Sequence, residues 1–226
     1  MSIIAETNKT LAFAILIGGK SSRFGSDKGI FKFRGKPLIS YQLDVLSKFD
    51  NDIFIVAKSR EQVQDYAEII DVTKLMGFII DDRELIENEK LRTPMIGFYS
   101  AFKELKELHY KKVFILSCDM PLIQYEIIDM LIRESKGYDC CIPRWENGFV
   151  EPLFGIYPIE KAYKEAKQFL IDKIYKLIHF FENDWQINYI PVEDKIQQYD
   201  PNLLTFININ APVDLEELMK LYKPDQ

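Results

Sequence analysis

The sequence predicts an α/β protein in which a mostly parallel central sheet is flanked by helices on both faces. Short apolar runs with strand-like composition alternate with longer helical patterns along the chain. One of these runs, residues 113–116, is uniformly apolar, as expected for a strand that is buried on both faces. With 226 residues, we expect a single domain over residues 11–226, preceded by a tail at residues 1–10.

Eight runs have the length and composition of strands. In chain order they are residues 11–16, 52–57, 77–81, 112–117, 139–143, 151–157, 186–191 and 203–207. Seven segments have helical patterns instead. They are residues 38–49, 61–69, 94–108, 124–134, 159–170, 173–181 and 212–221.

Two of the helical segments carry additional signals. In the third, the apolar residues Met95, Phe98, Phe102 and Leu105 fall on one face of a helix. In the last, Pro212 suits the first helical position, and acidic residues follow it early, where they favour a helix N-terminus.

Composition and charge exclude several classes of function. A net charge of −6 and a pI near 5.1 argue against a nonspecific nucleic-acid binder. No apolar run approaches the ~20 residues of a membrane helix, and residues 1–10 lack a signal-peptide pattern. We therefore expect a cytoplasmic protein with neither nucleic acid nor membrane as a partner.

Metal and nucleophile chemistry based on cysteine or histidine is also not indicated. The three cysteines lack the paired Cys-x-x-Cys spacing of zinc sites. The two histidines, His109 and His179, fall in no motif.

A Gly-rich segment follows the first strand and contains Gly18, Gly19, Arg23, Gly25 and Lys28. Glycines let several backbone N–H groups approach one anion, and Arg and Lys side chains suit phosphate oxygens. The spacing matches neither the Walker A pattern nor the dinucleotide Gly-x-Gly-x-x-Gly pattern. The Gly pair alone is also compatible with a simple tight turn, so the phosphate interpretation depends on the cations.

Two aspartates stand at the ends of predicted strands, where open α/β sheets bind ligands. Asp119 comes after the run 112–117, and its carboxylate suits Mg²⁺, although Asp there is equally suited to cap a helix. Asp82 follows the run 77–81 and begins a charged stretch that is otherwise typical of an exposed loop.

Four segments together resemble one enzyme family, and the resemblance runs in order from about Leu11 to Leu221. The segment from Leu16 to Lys28 is similar to the Leu-x-Gly-Gly-x-x-x-Arg-x-Gly-x-Asp-Lys signature of molybdenum cofactor guanylyltransferases. The later segments Cys118-Asp119-Met120-Pro121, Thr93-Pro94-Met95-Ile96-Gly97 and Asn208-Ile209-Asn210-Ala211-Pro212 resemble further motifs of that family. The resemblance implies a Rossmann-like nucleotidyltransferase fold.

The resemblance also implies a reaction: transfer of GMP from GTP to the terminal phosphate of molybdopterin cofactor, with release of pyrophosphate. The acceptor phosphate is already anionic, so catalysis needs positioning and charge stabilisation rather than a general base. GTP, molybdopterin cofactor, Mg²⁺ and proteins that mature molybdoenzymes are the implied partners.

Residue roles follow from the matched positions. The implied catalytic residues are Arg23, Lys28 and Asp119, and the implied metal ligands are Asp119 and Asn210. Asn208 and Asn210 are expected to contact the acceptor. Nucleotide contacts are expected from Leu16, Ile17, Gly18, Gly19, Lys28, Asp82 and Asp119. Main-chain groups near Leu16 would meet the base edge, and Asp82 would accept hydrogen bonds from the two guanine donors. A shift of one residue in the alignment would give this role to Asp81 instead.

Departures from the family pattern keep other readings open. Ala57 stands where the family has Asn, Ile17 replaces an Ala, and Thr93 and Met95 depart from Gly-Pro-Leu-x-Gly. Transfer of CMP to the same pterin and transfer of GMP to another phosphorylated acceptor therefore stay as alternatives. A non-catalytic carrier of the cofactor is a third reading, but carrying alone needs no triphosphate site.

Overall fold

The computed structural model describes residues 9–17, 27–209 and 214. Several sequence predictions lie outside these residues. They are residues 1–8 of the tail, the Gly-rich segment positions Gly18, Gly19 and Arg23, the metal and acceptor candidate Asn210, and the helix at residues 212–221 apart from Asp214.

The described residues form a seven-stranded sheet. Its strands are β1 (Leu11–Leu16), β4 (Ile53–Ala57), β5 (Gly77–Ile80), β6 (Lys112–Ser117), β7 (Cys140–Arg144), β8 (Phe154–Pro158) and β9 (Ile187–Pro191). Their order in the sheet is β5-β4-β1-β6-β8-β7-β9. Strand β8 runs antiparallel to both of its neighbours, and the other described pairings in the sheet are parallel. The predicted, mostly parallel α/β sheet is confirmed.

A two-stranded hairpin that the sequence analysis did not foresee stands apart from the main sheet. It consists of β2 (Lys32–Phe33) and β3 (Lys36–Pro37). Its two turn residues, Arg34 and Gly35, both have positive φ, as a tight two-residue hairpin turn requires.

Helices cover both faces of the sheet. They are α1 (Leu38–Leu46), α2 (Arg60–Ala67), α3 (Pro94–Glu107), α4 (Tyr125–Glu134) and α5 (Ile159–Ile171). Helices α1, α2 and α4 bury their apolar residues in the core on one face, and α3 and α5 bury theirs in the core on the other. The predicted apolar stripe of α3 is confirmed, because Met95, Phe98, Phe102 and Leu105 are all fully buried.

Strand β1 shows how the sequence builds these two layers. Phe13 and Ile15 face the core that contains α1, whereas Ala12, Ala14 and Leu16 face the core that contains α3. Successive side chains of a strand point to opposite faces, so an apolar run serves both layers at once. The fully buried run 113–116 of β6 confirms the prediction of a central strand.

The prediction of a strand at residues 203–207 is wrong. Leu203 has a left-handed conformation with φ of 50°, and a 3₁₀ turn follows at Leu204–Phe206. The Asp200 carboxylate accepts hydrogen bonds from the backbone N–H groups of Leu204 and Thr205, at 2.9 and 2.7 Å. This local bonding competes with strand pairing, so Asn208 lies in irregular chain rather than on a strand.

Two other boundaries differ from the predictions. The expected helix at residues 173–181 is a 3₁₀ segment at Leu177–Glu182, because Lys173, with φ of 59°, ends α5 in a left-handed turn. The expected strand at residues 151–157 begins only at Phe154, whose N–H bonds to the Glu151 carbonyl in a turn at 3.0 Å. Within the described residues, no helix is long and apolar enough to cross a membrane.

Candidate active site

The carboxyl ends of β1 and β6 bring Lys28 and Asp119 together. Lys28 begins a 3₁₀ turn, and its ammonium nitrogen lies 3.6 Å from a carboxylate oxygen of Asp119. The side chains are 18% and 22% exposed, so both groups are shielded but reachable from solvent. The structure thus joins two residues that the sequence analysis placed in the same site.

The turn that carries Asp119 is fixed on several sides. The buried Gln42 of α1 donates two hydrogen bonds, to the carbonyls of Ser117 and Met120 at 2.7 and 2.9 Å. The Cys118 N–H bonds to the Leu16 carbonyl at 3.1 Å, which ties the turn to β1. A residue in this turn is therefore held in a defined position.

Asp119 does not cap the helix that follows it. Helix α4 begins at Tyr125, and its N-cap residue is Gln124. The helix-cap alternative that the sequence left open is thereby removed, and the Asp119 carboxylate has no capping role at α4. It faces Lys28 instead.

A hydrogen-bond network on α2 holds the residue before Lys28. The Asp27 carboxylate accepts from Gln62 Nε2 and from the Tyr66 hydroxyl. It also accepts from the Gly29 N–H at 3.3 Å. A side chain at Gly29 would collide with the Tyr66 hydroxyl, since a Cβ there would lie 2.3 Å from that oxygen. The position of Lys28 therefore depends on α2.

Both the nitrogen and the oxygen of the Gln62 side-chain amide form hydrogen bonds in this network. Besides Asp27, its Nε2 donates to the Ile17 carbonyl at 3.1 Å, and its Oε1 accepts from the Lys58 N–H at 2.8 Å. One buried side chain thus links the ends of β1 and β4 with the chain next to Lys28. We call the side chains of Asp27, Gln62 and Tyr66 the α2 network.

A cavity of about 290 Å³ opens at the carboxyl ends of β1, β4 and β5. This volume is at the small end of the range of roughly 300–1,000 Å³ that ligand pockets span. The lining residues are Leu16, Val56, Lys58, Asp81, Arg83, Arg92, Thr93, Pro94, Ile96 and Gly97. The segment that resembled Gly-Pro-Leu-x-Gly therefore forms one wall, at the start of α3.

The missing side chain of Gly97 leaves room in this cavity beside β1. A Cβ on Gly97 would lie 3.2 Å from a methyl carbon of Leu16 and 3.7 Å from Asp81 Oδ1. The Leu16 carbonyl and the Ile17 N–H and carbonyl bond to protein partners, namely Cys118, Val56 and Gln62. Leu16 therefore borders the cavity with its side chain, whereas we had expected main-chain groups there to meet the base.

Asp81, not Asp82, is the carboxylate in the cavity lining. Burial raises the pKa of Asp81 to about 6, although Arg83 and Arg92 offset part of that rise. No hydrogen bond to its carboxylate comes from the described residues. A buried carboxylate without donors is energetically unfavourable, so this position favours a ligand that brings donors.

The Asp82 carboxylate does not line the cavity but bonds to protein partners. Its carboxylate accepts from Lys103 Nζ at 2.5 Å and from the Glu84 N–H at 2.9 Å. Burial raises its pKa, but the hydrogen bonds from Lys103 and Glu84 outweigh that effect and leave the pKa below its ordinary value. The sequence prediction that Asp82 contacts the base receives no support from this geometry.

A backbone hydrogen bond of the residue after Asn208 holds this segment near Asp119. The N–H of the next residue, Ile209, donates to the Asp119 carbonyl at 2.8 Å. The Asn208 side-chain amide donates to the Phe206 carbonyl at 3.3 Å. The segment is therefore anchored at the site, although it is not the strand that the sequence predicted.

Sequence reasoning overlooked the roles of Gln62 and Tyr66, and it preferred Asp82 to its neighbour Asp81 as the carboxylate that meets the base. Gln62 and Tyr66 are four residues apart, so they share one face of α2, and a Gln on the buried face was the available signal. Successive side chains of a strand point to opposite faces of the sheet, so those of Asp81 and Asp82 point in different directions at the end of β5. Sequence spacing alone could not decide which of them faces the ligand.

Comparison with known proteins identifies the family. The sequence profile of the MobA-like NTP transferase domain matches residues 13–182, about three quarters of the chain. The chain belongs to the MobA-like NTP transferase family. It is accordingly a nucleotidyltransferase, and the cavity and the Lys28–Asp119 pair occupy the ligand-binding edge of such a sheet.

Individual relatives agree with the family assignment. A probable molybdenum cofactor guanylyltransferase of Thermococcus gammatolerans is 32% identical over 212 residues, which cover 92% of this chain and 98% of the relative. One from Methanocaldococcus jannaschii is 32% identical over 215 residues, covering 92% and 97%. The fold resembles molybdopterin-guanine dinucleotide biosynthesis protein A from Archaeoglobus fulgidus, with a TM-score of 0.73, 25% identity, and coverage of 93% and 97%.

Proposed function

We propose that this protein is a molybdenum cofactor guanylyltransferase, which transfers GMP from GTP to the terminal phosphate of molybdopterin cofactor. The observation that carries the proposal is the Lys28–Asp119 pair at 3.6 Å, at the same edge of the sheet as a cavity lined by the partly buried Asp81 carboxylate. The pair suits a triphosphate and the cavity suits its base. Relatives with this name, similar over nearly their whole length, support the reaction.

In this reaction an oxygen of the acceptor phosphate attacks the α-phosphorus of GTP. The bond between the α-phosphorus and the bridging oxygen to the β-phosphorus breaks, and pyrophosphate leaves with that electron pair. Lys28 would stabilise the charge on the phosphates, and Arg23, which lies outside the described residues, is proposed to assist it. No general base is needed, because the attacking oxygen is already anionic.

Asp119 is the residue that would hold Mg²⁺. No cluster of three or more His, Cys, Asp or Glu side chains suited to a metal occurs within the described residues. A single carboxylate nevertheless fits, because Mg²⁺ commonly binds one or two carboxylates together with substrate phosphates and waters. When bound, the ion would supply positive charge to the phosphate oxygens. Asn210 remains the proposed second ligand.

The cavity has the polar groups to recognise guanine. The Asp81 carboxylate can accept from guanine N1–H and the exocyclic amine, and Lys58, Arg83 or Arg92 can donate to O6. Cytosine lacks that pair of adjacent donors, and adenine lacks the O6 acceptor. We therefore assign base recognition to Asp81, whereas Asp82 holds the adjacent chain through Lys103 and Glu84.

The acceptor would lie on the other side of Asp119 from the base. Asn208 and Asn210 are proposed to contact it, since Ile209, the residue between them, bonds to the Asp119 carbonyl. Proteins that mature molybdoenzymes are the proposed recipients of the product, and the cytoplasm is its proposed location.

The direct test is pyrophosphate release from GTP in the presence of molybdopterin. We expect release that requires both the pterin and Mg²⁺, with the guanine dinucleotide as the second product. A protein that binds the pterin but releases no pyrophosphate would instead be a cofactor carrier. Release from CTP at equal or greater efficiency would indicate the cytidylyltransferase alternative.

A further inference from the structure

Glu151 is a largely buried carboxylate for which the reaction described above has no use. It lies at the base of a hairpin in which the N–H of Trp145 bonds to the Phe149 carbonyl at 2.8 Å. The indole Nε1 of Trp145 donates to Glu151 Oε1 at 2.7 Å. Burial raises the pKa of Glu151, and the bond from Trp145 lowers it only in part. Among the described residues, no donor reaches the second oxygen, Oε2.

Trp145 alone does not explain a carboxylate at this position. The neutral amide oxygen of a Gln would accept the same indole hydrogen bond without the cost of burying a charge. Among the described residues, the side-chain polar atoms that are both fully buried and without a partner are Gln42 Oε1 and Thr205 Oγ1. Glu151 Oε2 has no partner but is not one of these atoms, so it is accessible to solvent. The free side of the carboxylate is therefore open to a ligand.

The chain contacts place Glu151 near Asp119. The Leu153 carbonyl accepts the Ser117 N–H at 3.1 Å, so the residues after Glu151 lie against the end of β6. Phe206 packs against Trp145 with ring centroids 5.5 Å apart. The segment after Phe206 reaches Asp119 through the Ile209 N–H. The hairpin base and the reacting centre thus belong to one edge of the sheet.

Glu151 lies on the side of that edge opposite the base cavity. The cavity is lined by the ends of β1, β4 and β5, whereas the hairpin connects β7 and β8, beyond β6 in the strand order. If GTP places its base in the cavity, the part of this edge that is left for the body of the acceptor lies beyond β6, where the hairpin stands.

We propose that Glu151 and Trp145 bind the heterocycle of the acceptor, a planar ring that presents adjacent N–H and amino donors, such as the pyrimidinone edge of a pterin. A carboxylate can accept both donors, and an indole offers a flat apolar surface beside them. The inference rests on the proposed function, because the direction of the acceptor follows from GTP in the cavity.

The test measures binding of 6-hydroxymethylpterin monophosphate to the full chain by calorimetry, without GTP. In Glu151→Gln the bond to Trp145 can persist while the charge is lost. We expect this variant to bind the probe at least tenfold more weakly than the wild-type chain, because a site built to pair polar donors rejects mismatches strongly. GTP binding should stay within twofold. Glu146→Gln, an exposed position on the same hairpin, serves as the matched control and should bind the probe normally.

A second probe tests the donor pair itself. The corresponding lumazine phosphate carries an oxo group in place of the 2-amino group, so the wild-type chain should prefer the pterin. Glu151→Gln should lose most of that preference. A structural role would instead lower the unfolding temperature of Glu151→Gln and weaken GTP and pterin binding together, and this result would overturn the proposal.

Two further outcomes are decisive. The proposal is overturned if the wild-type chain does not bind the pterin probe, or if Glu151→Gln binds it as the wild-type chain does. Failure of the proposed function looks different: GTP would not bind or react, while the loss of pterin binding in Glu151→Gln would persist.

Discussion

At the scale of single residues, the proposed function assigns the phosphate chemistry to the Lys28–Asp119 pair. Lys28→Ala removes the ammonium group that lies 3.6 Å from Asp119. We expect kcat/KM for GTP to fall at least tenfold, which corresponds to about 1.4 kcal/mol of lost stabilisation. Lys32→Ala, at an exposed position in the same segment, should leave kcat/KM unchanged. Equal turnover in both variants would remove Lys28 from the site.

A substitution at Asp119 can distinguish a role of its charge from a role in the stability of the fold. Asp119→Asn keeps the shape of the side chain but removes the negative charge that a metal ion needs. Activity should fall by orders of magnitude, while the unfolding temperature should change little because Asp119 does not cap α4. If the variant instead unfolds at a much lower temperature and keeps the Mg²⁺ dependence of the wild type, Asp119 is a structural residue.

The proposed role of Asp81 gives GTP binding a defined pH dependence. Burial raises its pKa to about 6, so the carboxylate is ionised at pH 7 and becomes protonated as the pH falls through about 6. Only the ionised form accepts both guanine donors. GTP affinity should therefore decrease as the pH is lowered from 7 to 5, by up to about tenfold per pH unit.

The control for this pH dependence is Asp81→Asn, in which the phosphates of GTP still titrate. The variant should bind GTP more weakly at pH 7 and should lose the additional decrease between pH 7 and 5. Asp82→Asn should retain that decrease. If Asp82→Asn loses it and Asp81→Asn keeps it, base recognition belongs to Asp82, as the sequence alone had suggested.

The pair Asp81 and Asp82 shows which property of single residues the sequence does not predict, namely the direction of a side chain at the end of a strand. The residue types and the strand end were predictable, and a carboxylate does line the cavity. Which of two neighbouring carboxylates faces the cavity depends on where β5 ends and on partners distant in sequence, such as Lys103. No local spacing contains that information.

At the scale of elements, α2 holds the chain next to Lys28 in addition to covering the sheet. Gln62 joins Ile17, Lys58 and Asp27 through one buried amide. Gln62→Met leaves the Asp27 carboxylate with one donor fewer, which costs about 1–3 kcal/mol of unfolding free energy. We also expect KM for GTP to rise at least fivefold, since the position of Lys28 depends on Asp27.

Gln64→Met is the matched control, because Gln64 is exposed on the same helix. It should change neither the unfolding free energy nor KM. The assays belong at a temperature at which both variants are fully folded. A Gln62→Met enzyme that is less stable but has the wild-type KM would show that the α2 network stabilises the fold without positioning the site.

The predictable elements are those in which local pattern and tertiary environment agree. Strands β1 and β6 have the predicted bounds, and α3 begins at the predicted Pro94, because long apolar runs and a Pro at the first helical turn leave few alternatives. The segment 203–207 is apolar enough for a strand, but the Asp200 side chain captures its backbone donors. That outcome depends on a carboxylate position that periodicity does not reveal.

At the scale of the whole molecule, the sheet order explains how a chain with a net charge of −6 can hold an anionic substrate. Strand β1 lies between β4 and β6 and is parallel to both, so the loops that follow these three strands meet at one edge of the sheet. That edge brings Lys28, Lys58, Arg83 and Arg92 near the ligand positions. A local concentration of cations thus replaces a favourable overall field.

The overall architecture was predictable because alternating strand and helix patterns restrict an α/β chain to few topologies. The reversed direction of β8 and the β2–β3 hairpin were not foreseen. The Asn147-Gly148 pair before β8 is a strong turn signal that the sequence analysis overlooked, whereas Arg34-Gly35 is a weak one. The reversal matters for function, because it places the hairpin with Trp145 and Glu151 at the same edge as Asp119.

The most direct test of the central claim is a side-by-side measurement of kcat/KM for GTP, CTP and ATP with molybdopterin as acceptor and Mg²⁺ present. The account predicts that GTP exceeds both other nucleotides by about a hundredfold or more, as in sites that pair buried polar groups with one substrate. Equal or greater use of CTP would contradict the guanylyltransferase assignment. Absence of pterin-dependent pyrophosphate release with every nucleotide would contradict the proposed reaction as a whole.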